Sequence, residues 1–212
     1  DERPLKTRAG VQQVVPTRAL GELLRQEWAD APEEFGPEDF PLRDLADRAI
    51  DTISAEPGPI VARLLGFADG DTLCYRAEPD EPVAHRQAAI WEPIVAHIEA
   101  EHGIELTRTH GILHRPQPEA SIGALRQRLE AESAFVLAGL DTAASLAASL
   151  CVALAGLREE ADHAALWAAA NLEQDWQAER WGADEEAIAR RNEREADFTR
   201  ALTFARAARD TS

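Results

Sequence analysis

The stretch "LEQDWQAERWG", residues 172–182, sets two tryptophans among acids and amides and closes on a glycine. Wound as a helix, it divides into two faces: Leu172 with Trp176, and Glu173 with Gln177 and Trp181. The first pair continues the apolar pattern of Leu166 and Ala169, so Leu172 and Trp176 are expected to anchor the helix, with Gly182 ending it. The second stripe joins a carboxylate, an amide and an indole, a combination suited to an amphipathic anchor ringed by charge-selective contacts. A merely solvated face, with Glu173 and Gln177 hydrogen-bonded as an i, i+4 pair, fits that stripe equally well.

Other chemistry is sparse. The sequence holds no glycine-rich phosphate loop, dinucleotide fingerprint, nucleophile elbow or His-Glu-x-x-His zinc motif. His110 and His114 are four apart, but "HGILH" contains glycine where a strand is expected, which argues against a helical metal pair. "ADGDT" at 68–72 sets two aspartates two apart with no further ligands at calcium-loop spacing, and reads as an acidic turn capping a strand. No metal and no cofactor is expected. The one enzymatic alternative is a polar site between domains, around Asp71, Arg76 and His110.

The composition narrows the partners. Over 212 residues, 22 lysines and arginines face 39 aspartates and glutamates, a formal net charge of -17, so phosphate backbones and anionic membranes are disfavoured. Cys74 and Cys151 are far apart with no Cys-x-x-Cys spacing, which points to a reducing compartment and buried thiols. "TAASLAASLCVALAGL" at 142–157 is uncharged but rich in alanine and serine, and shorter than the roughly 20 residues of a membrane span. It reads as a buried helix. The first residues, "DERPLKT", have no signal-sequence pattern and look like the interior of a domain.

The elements that must position the stripe follow from periodicity. "PLKT" and "VQQVV" read as a short hairpin around Ala9-Gly10, after which Thr17 caps a helix carrying Leu20, Leu23, Leu24 and Trp28, the last expected in the core. Helices follow on Leu42–Ile53 and Ile60–Phe67, then a strand in "LCYRAE". The next helix, Pro82 to His102, presents Ile90, Ile94, Val95 and Ile98 with Trp91 at the flank, and Gly103 closes it. "IELTRTHGI" reads as another strand and "RPQPE" as a linker. Beyond it four helices are expected, near 119–131, 135–157, 159–181 and 184–208; in the second, Ala143, Ala147, Cys151 and Ala155 would form a groove for a neighbouring helix. The fold class is α+β: a mixed first domain over 1–116 with a small sheet, and an all-helical second domain over 117–212.

Five blocks stand in register along nearly the whole chain: "RPLKT" at 3–7, "EW" at 27–28, "DTLCYRAEPDEP" at 71–82, "QAAIWEP" at 87–93 and "LEQDWQAERWG" at 172–182. Together they resemble the ATP12 family, assembly chaperones for the α subunit of the F-type ATP synthase. Arg8, Glu92 and Trp176 depart from that family's proline, aspartate and tyrosine, and the family usually has a further N-terminal strand region. The resemblance implies a two-domain protein whose helical part engages the unassembled α subunit without hydrolysing ATP, in an α-proteobacterial cytoplasm or a mitochondrial matrix. It implies client contacts at Glu173, Gln177, Trp181 and Asp175. Leu172, Trp176 and Gly182 read as scaffold, and Asp71, Cys74, Tyr75, Arg76, Trp91 and Pro93 as the strand-to-helix junction of the first domain. The acidic body favours a monomer. An adaptor for a different client is the alternative.

Overall fold

A computed structural model describes residues 4–111, 113–182 and 184–209. Arg3 of the first block, Ile112 at the end of "IELTRTHGI" and Ala183 after the last block lie outside them. The fold is α+β, with ten helices and one two-stranded sheet among the described residues. The first half comprises α1 (Arg18–Asp30), α2 (Pro41–Arg48, running into a π turn at Ala49–Ile53), α3 (Gly58–Asp69), β1 (Tyr75–Arg76), α4 (Pro82–His102) and β2 (Thr109–His110). Then come α5 (Glu119–Glu130), α6 (Ala134–Ala147), α7 (Leu150–Ala155), α8 (His163–Ala170), α9 (Leu172–Trp181) and α10 (Glu185–Ala207).

Several boundaries follow local chemistry. The Thr17 hydroxyl accepts the Leu20 amide at 3.1 Å and so starts α1. Gly103 closes α4 in the left-handed conformation, φ 63°, which glycine adopts without steric cost. The strands are shorter than the sequence suggests. β1 and β2 pair in parallel over two residues each, Tyr75 with Thr109 and Arg76 with His110, and Leu73 and Cys74 form a 3-10 turn instead. The N-terminal hairpin is a single antiparallel bridge, Lys6 with Gln12. Leu5, Val11 and Val14 all stay exposed, so no apolar face extends the pairing. Polar ties hold the hairpin in place: the Thr7 hydroxyl donates to Asp51 and the Gln13 amide to Asp47, each at 2.7 Å.

Two expected long helices are each broken. The run near 135–157 divides into α6 and α7 because Ala148 turns left-handed at φ 48°. The break is stabilised from far away in sequence. The Thr72 amide and hydroxyl both donate to the Ala148 carbonyl, while Asp71 accepts from the Ser149 hydroxyl at 2.7 Å and the Cys151 amide at 2.9 Å. Ser149 itself caps Val152 at 3.0 Å. The alanine ladder therefore does not line one continuous helix, although its members are buried. Close approach to α10 depends instead on Gly139, where a Cβ would lie 2.6 Å from the Ala201 carbonyl, and Gly156, where it would lie 2.3 Å from Leu202. The second break, at Asn171, separates α8 from α9.

The apolar core is one cluster running from Leu20 to Ala208, with α6 and α10 packed at its centre. Two tryptophans differ from expectation. Trp91 is a core residue, 1% exposed, whereas Ile90 beside it is 43% exposed; the buried face of α4 is Gln87, Trp91, Val95 and Ile98. Trp28 is only half-buried, resting on Phe40 at 4.2 Å between ring centroids, with Arg43 over its ring.

Candidate functional site: a groove between β1, α4 and α9

A groove of about 740 Å³ runs along α9, with the end of β1 and the start of α4 as its other wall. Tyr75, Arg76, Glu81, Glu173, Gln177 and Trp181 are among its lining residues. α9 is held against the rest of the molecule at several points. Leu172 is buried, and the Trp91 indole donates to the Ala169 carbonyl at 2.7 Å just before α9 starts. Arg86 of α4 reaches both Glu179 oxygens, at 2.8 and 3.0 Å, and sits over the Trp176 ring at 4.5 Å; Arg180 approaches the same ring at 5.1 Å.

Within the groove Glu173, Gln177 and Trp181 are all exposed, Trp181 by 77%. Glu173 and Gln177 do not bond to each other. Gln87, fully buried, donates from Nε2 to Glu173 Oε1 at 2.6 Å and accepts the Ala77 amide at 2.8 Å on its own Oε1. Although Glu173 is exposed as a whole residue, partial burial of its carboxyl pushes it above its ordinary range; the Gln87 hydrogen bond opposes this and the charge of Glu81 adds to it.

The remaining sequence-selected residues divide by location. Asp175 leaves the groove: its two oxygens take Arg191 Nε and Nη2 at 2.8 and 2.6 Å, so it joins α9 to α10. Trp176 is half-buried and lines the groove as well as touching the core. Gly182 ends α9 at φ 83°. Tyr75 and Arg76 reach the groove from β1. Pro93 lies inside α4, and Cys74 is sealed, its thiol pushed up to about 12 by burial and by the charge of Asp71. Cys151 is likewise buried with a raised thiol, again from burial first. Sequence reading missed the parts played by Glu81, which precedes α4, and by Arg86 and Gln87 in its second turn, because their α9 partners Glu173 and Glu179 lie about 90 residues away and meet them only in the fold.

No catalytic set assembles around Asp71, Arg76 and His110. Asp71 is fully buried and its oxygens accept from Leu73, Ser149 and Cys151. Arg76 pairs with Glu92 at 2.8 Å, and His110 Nδ1 donates to the Ala77 carbonyl at 2.8 Å. His114 lies between the Tyr75 hydroxyl, at 2.8 Å, and Asp69, at 3.2 Å, and so does not join His110. Among the described residues no three histidines, cysteines or acids cluster as metal ligands, and no helix is long and apolar enough to cross a membrane.

Comparison with known proteins points the same way as the five blocks, the family model spanning the first four of them. A family model described as "ATP12 chaperone protein" matches residues 1–99. The mitochondrial protein atp12 of Schizosaccharomyces pombe is 26% identical over 199 residues, covering 88% of this chain and 68% of that protein. The crystal structure of Atp12 from Paracoccus denitrificans superposes with a TM-score of 0.91 at 32% identity, over 99% of this chain and 90% of that one. The Atu1473 protein of Agrobacterium tumefaciens superposes with a TM-score of 0.92 at 36% identity, over 99% and 78%.

Proposed function

Because the chain belongs to the ATP12 chaperone family, we propose that it binds the unassembled α subunit of the F-type ATP synthase and shields the surface destined for the β subunit. An unpaired α subunit exposes apolar area that promotes aggregation, and a chaperone that covers it must still yield to β. Moderate affinity through a few aromatic anchors amid polar contacts meets both needs. The observation that carries this reading is Trp181, 77% exposed beside Glu173 and Gln177 on a helix fixed to the core. A tryptophan left in water next to an oriented carboxylate is the kind of side chain on which protein interfaces concentrate binding energy.

In this reading Glu173, Gln177 and Trp181 touch the client, and Asp175 supports α9 from behind. Residues 117–212 supply the binding helix, and residues 1–116 supply the opposite wall of the groove. The chain acts as a monomer, without ATP hydrolysis or other catalysis, in the cytoplasm of an α-proteobacterium or in a mitochondrial matrix. The test is suppression of aggregation of purified α by light scattering, followed by addition of β. Protection by the chain and release of α on adding β support the proposal; no protection, or a complex that β does not dissociate, refutes it.

A further inference from the structure

Resting on the reading of the α9 groove as the client site, we infer that its occupant presents a lysine or arginine side chain, set in an apolar segment of the client. That cation enters between Glu173 and Glu81 while Trp181 covers the apolar neighbours. The charge balance around the groove leads to this chemistry. Of the nearby arginines, Arg76 pairs with Glu92 and Arg86 with Glu179 and the Trp176 ring, while Arg180 lies over that same ring without a carboxylate partner among the described residues, one open cation against three groove carboxylates. Glu78, Glu81 and Glu173 all line the groove, and none of them pairs with a cation among the described residues. The surface offered to a partner is therefore anionic with aromatic patches.

The second argument is orientation. Gln87 has no exposed surface, and the Ala77 amide fixes its carboxamide so that Nε2 faces Glu173 Oε1. Glu173 Oε2 is left without a protein partner among the described residues. A carboxylate held by one oxygen and open at the other loses little side-chain freedom when a cation arrives. Burial and the neighbouring charge of Glu81 already disfavour its ionised form, and an incoming cation relieves both. Gln87 thus acts as a positioning residue for Glu173.

The test measures Kd for the complex of the full chain with unassembled α at low and high salt, for the wild type and for Glu81→Gln, Glu173→Gln, Gln87→Leu and Trp181→Ala. Glu81→Gln and Glu173→Gln should each weaken binding about tenfold at low salt, with the difference shrinking at high salt. Trp181→Ala should weaken binding alike at both. Gln87→Leu and Glu173→Gln together should cost little more than either alone, because they disable one device. Glu81 is exposed, so its variant remains informative even if Gln87→Leu folds poorly. Unchanged binding by both charge-neutral variants, with Trp181→Ala still weakened, overturns the cation but leaves the groove as the client site. Unchanged binding by all of them overturns both.

Discussion

Gln87 Nε2 donates to Glu173 Oε1 at 2.6 Å, joining the second turn of α4 to the first turn of α9 across 86 residues of sequence. This contact ties a buried amide of α4 to a carboxylate that lines the groove, so a change at either end has both a stability and a binding consequence.

Glu173→Lys replaces the acceptor by a donor and leaves Gln87 Nε2 buried without a partner. An unmet buried donor costs about 1–3 kcal/mol. For a chain of this size each kcal/mol lowers Tm by about 2–4 °C. The variant should remain folded by circular dichroism and protect α from aggregation less well. Equal protection would remove Glu173 from the interface.

Trp91→Phe leaves the Ala169 carbonyl without its indole donor and replaces a bicyclic core ring by a smaller phenyl, so a cavity adds to the lost hydrogen bond. The hydrogen-bond share of the loss is about 1–3 kcal/mol, and the whole is read as a lower urea midpoint with an unchanged slope. Because that bond fixes the end of α8 just before α9, the same variant should bind α more weakly although it touches no client.

Ala148→Gly is expected to stabilise. Ala148 is exposed and left-handed, a conformation that costs an alanine about 1–2 kcal/mol and a glycine almost nothing. The flexibility that glycine adds to the unfolded chain returns part of this, leaving a gain of about 0.5–1 kcal/mol. A rise in Tm checks it, and a fall would mean that Thr72 and Asp71 do not hold the break in the way described.

Acid should selectively erode the contribution of Arg108. Burial disfavours ionisation of Glu92 and Glu99, yet hydrogen bonds and charge, chiefly from Arg108, with Arg76 adding at Glu92 and the Leu106 amide at Glu99, outweigh it and hold both below the ordinary glutamate value. Depressed folded-state values mean stabilisation that is complete above about pH 4.5 and lost as pH falls through them. Arg108→Met should therefore be less stable than the wild type at neutral pH, and the gap in Tm should narrow on acidification. A gap that is independent of pH contradicts the assignment.

The sequence was most legible where local chemistry decides the outcome. Thr17 and Gly103 bound helices by their own side-chain and backbone preferences, and the α9 stripe follows from four-residue spacing. That same spacing places Asp175 about half a turn away from Glu173, consistent with its pairing to Arg191 rather than with the groove. Distant contacts were not legible. The break at Ala148 depends on Asp71 and Thr72, more than 70 residues away, and an uninterrupted apolar run gives no sign of it. The phase of α4 was misjudged by one residue, enough to exchange Ile90 for Trp91 as the core side chain. Gln87 looked like one more polar helix residue because its partners, Ala77 and Glu173, come together only in the folded chain.

Amide hydrogen exchange of the chain, free and bound to unassembled α, tests the central claim most directly. The account predicts slower exchange on binding in residues 75–83 and 172–182, the two walls of the groove. Protection confined to other helices, with those two segments exchanging as fast in the complex as in the free chain, would contradict it.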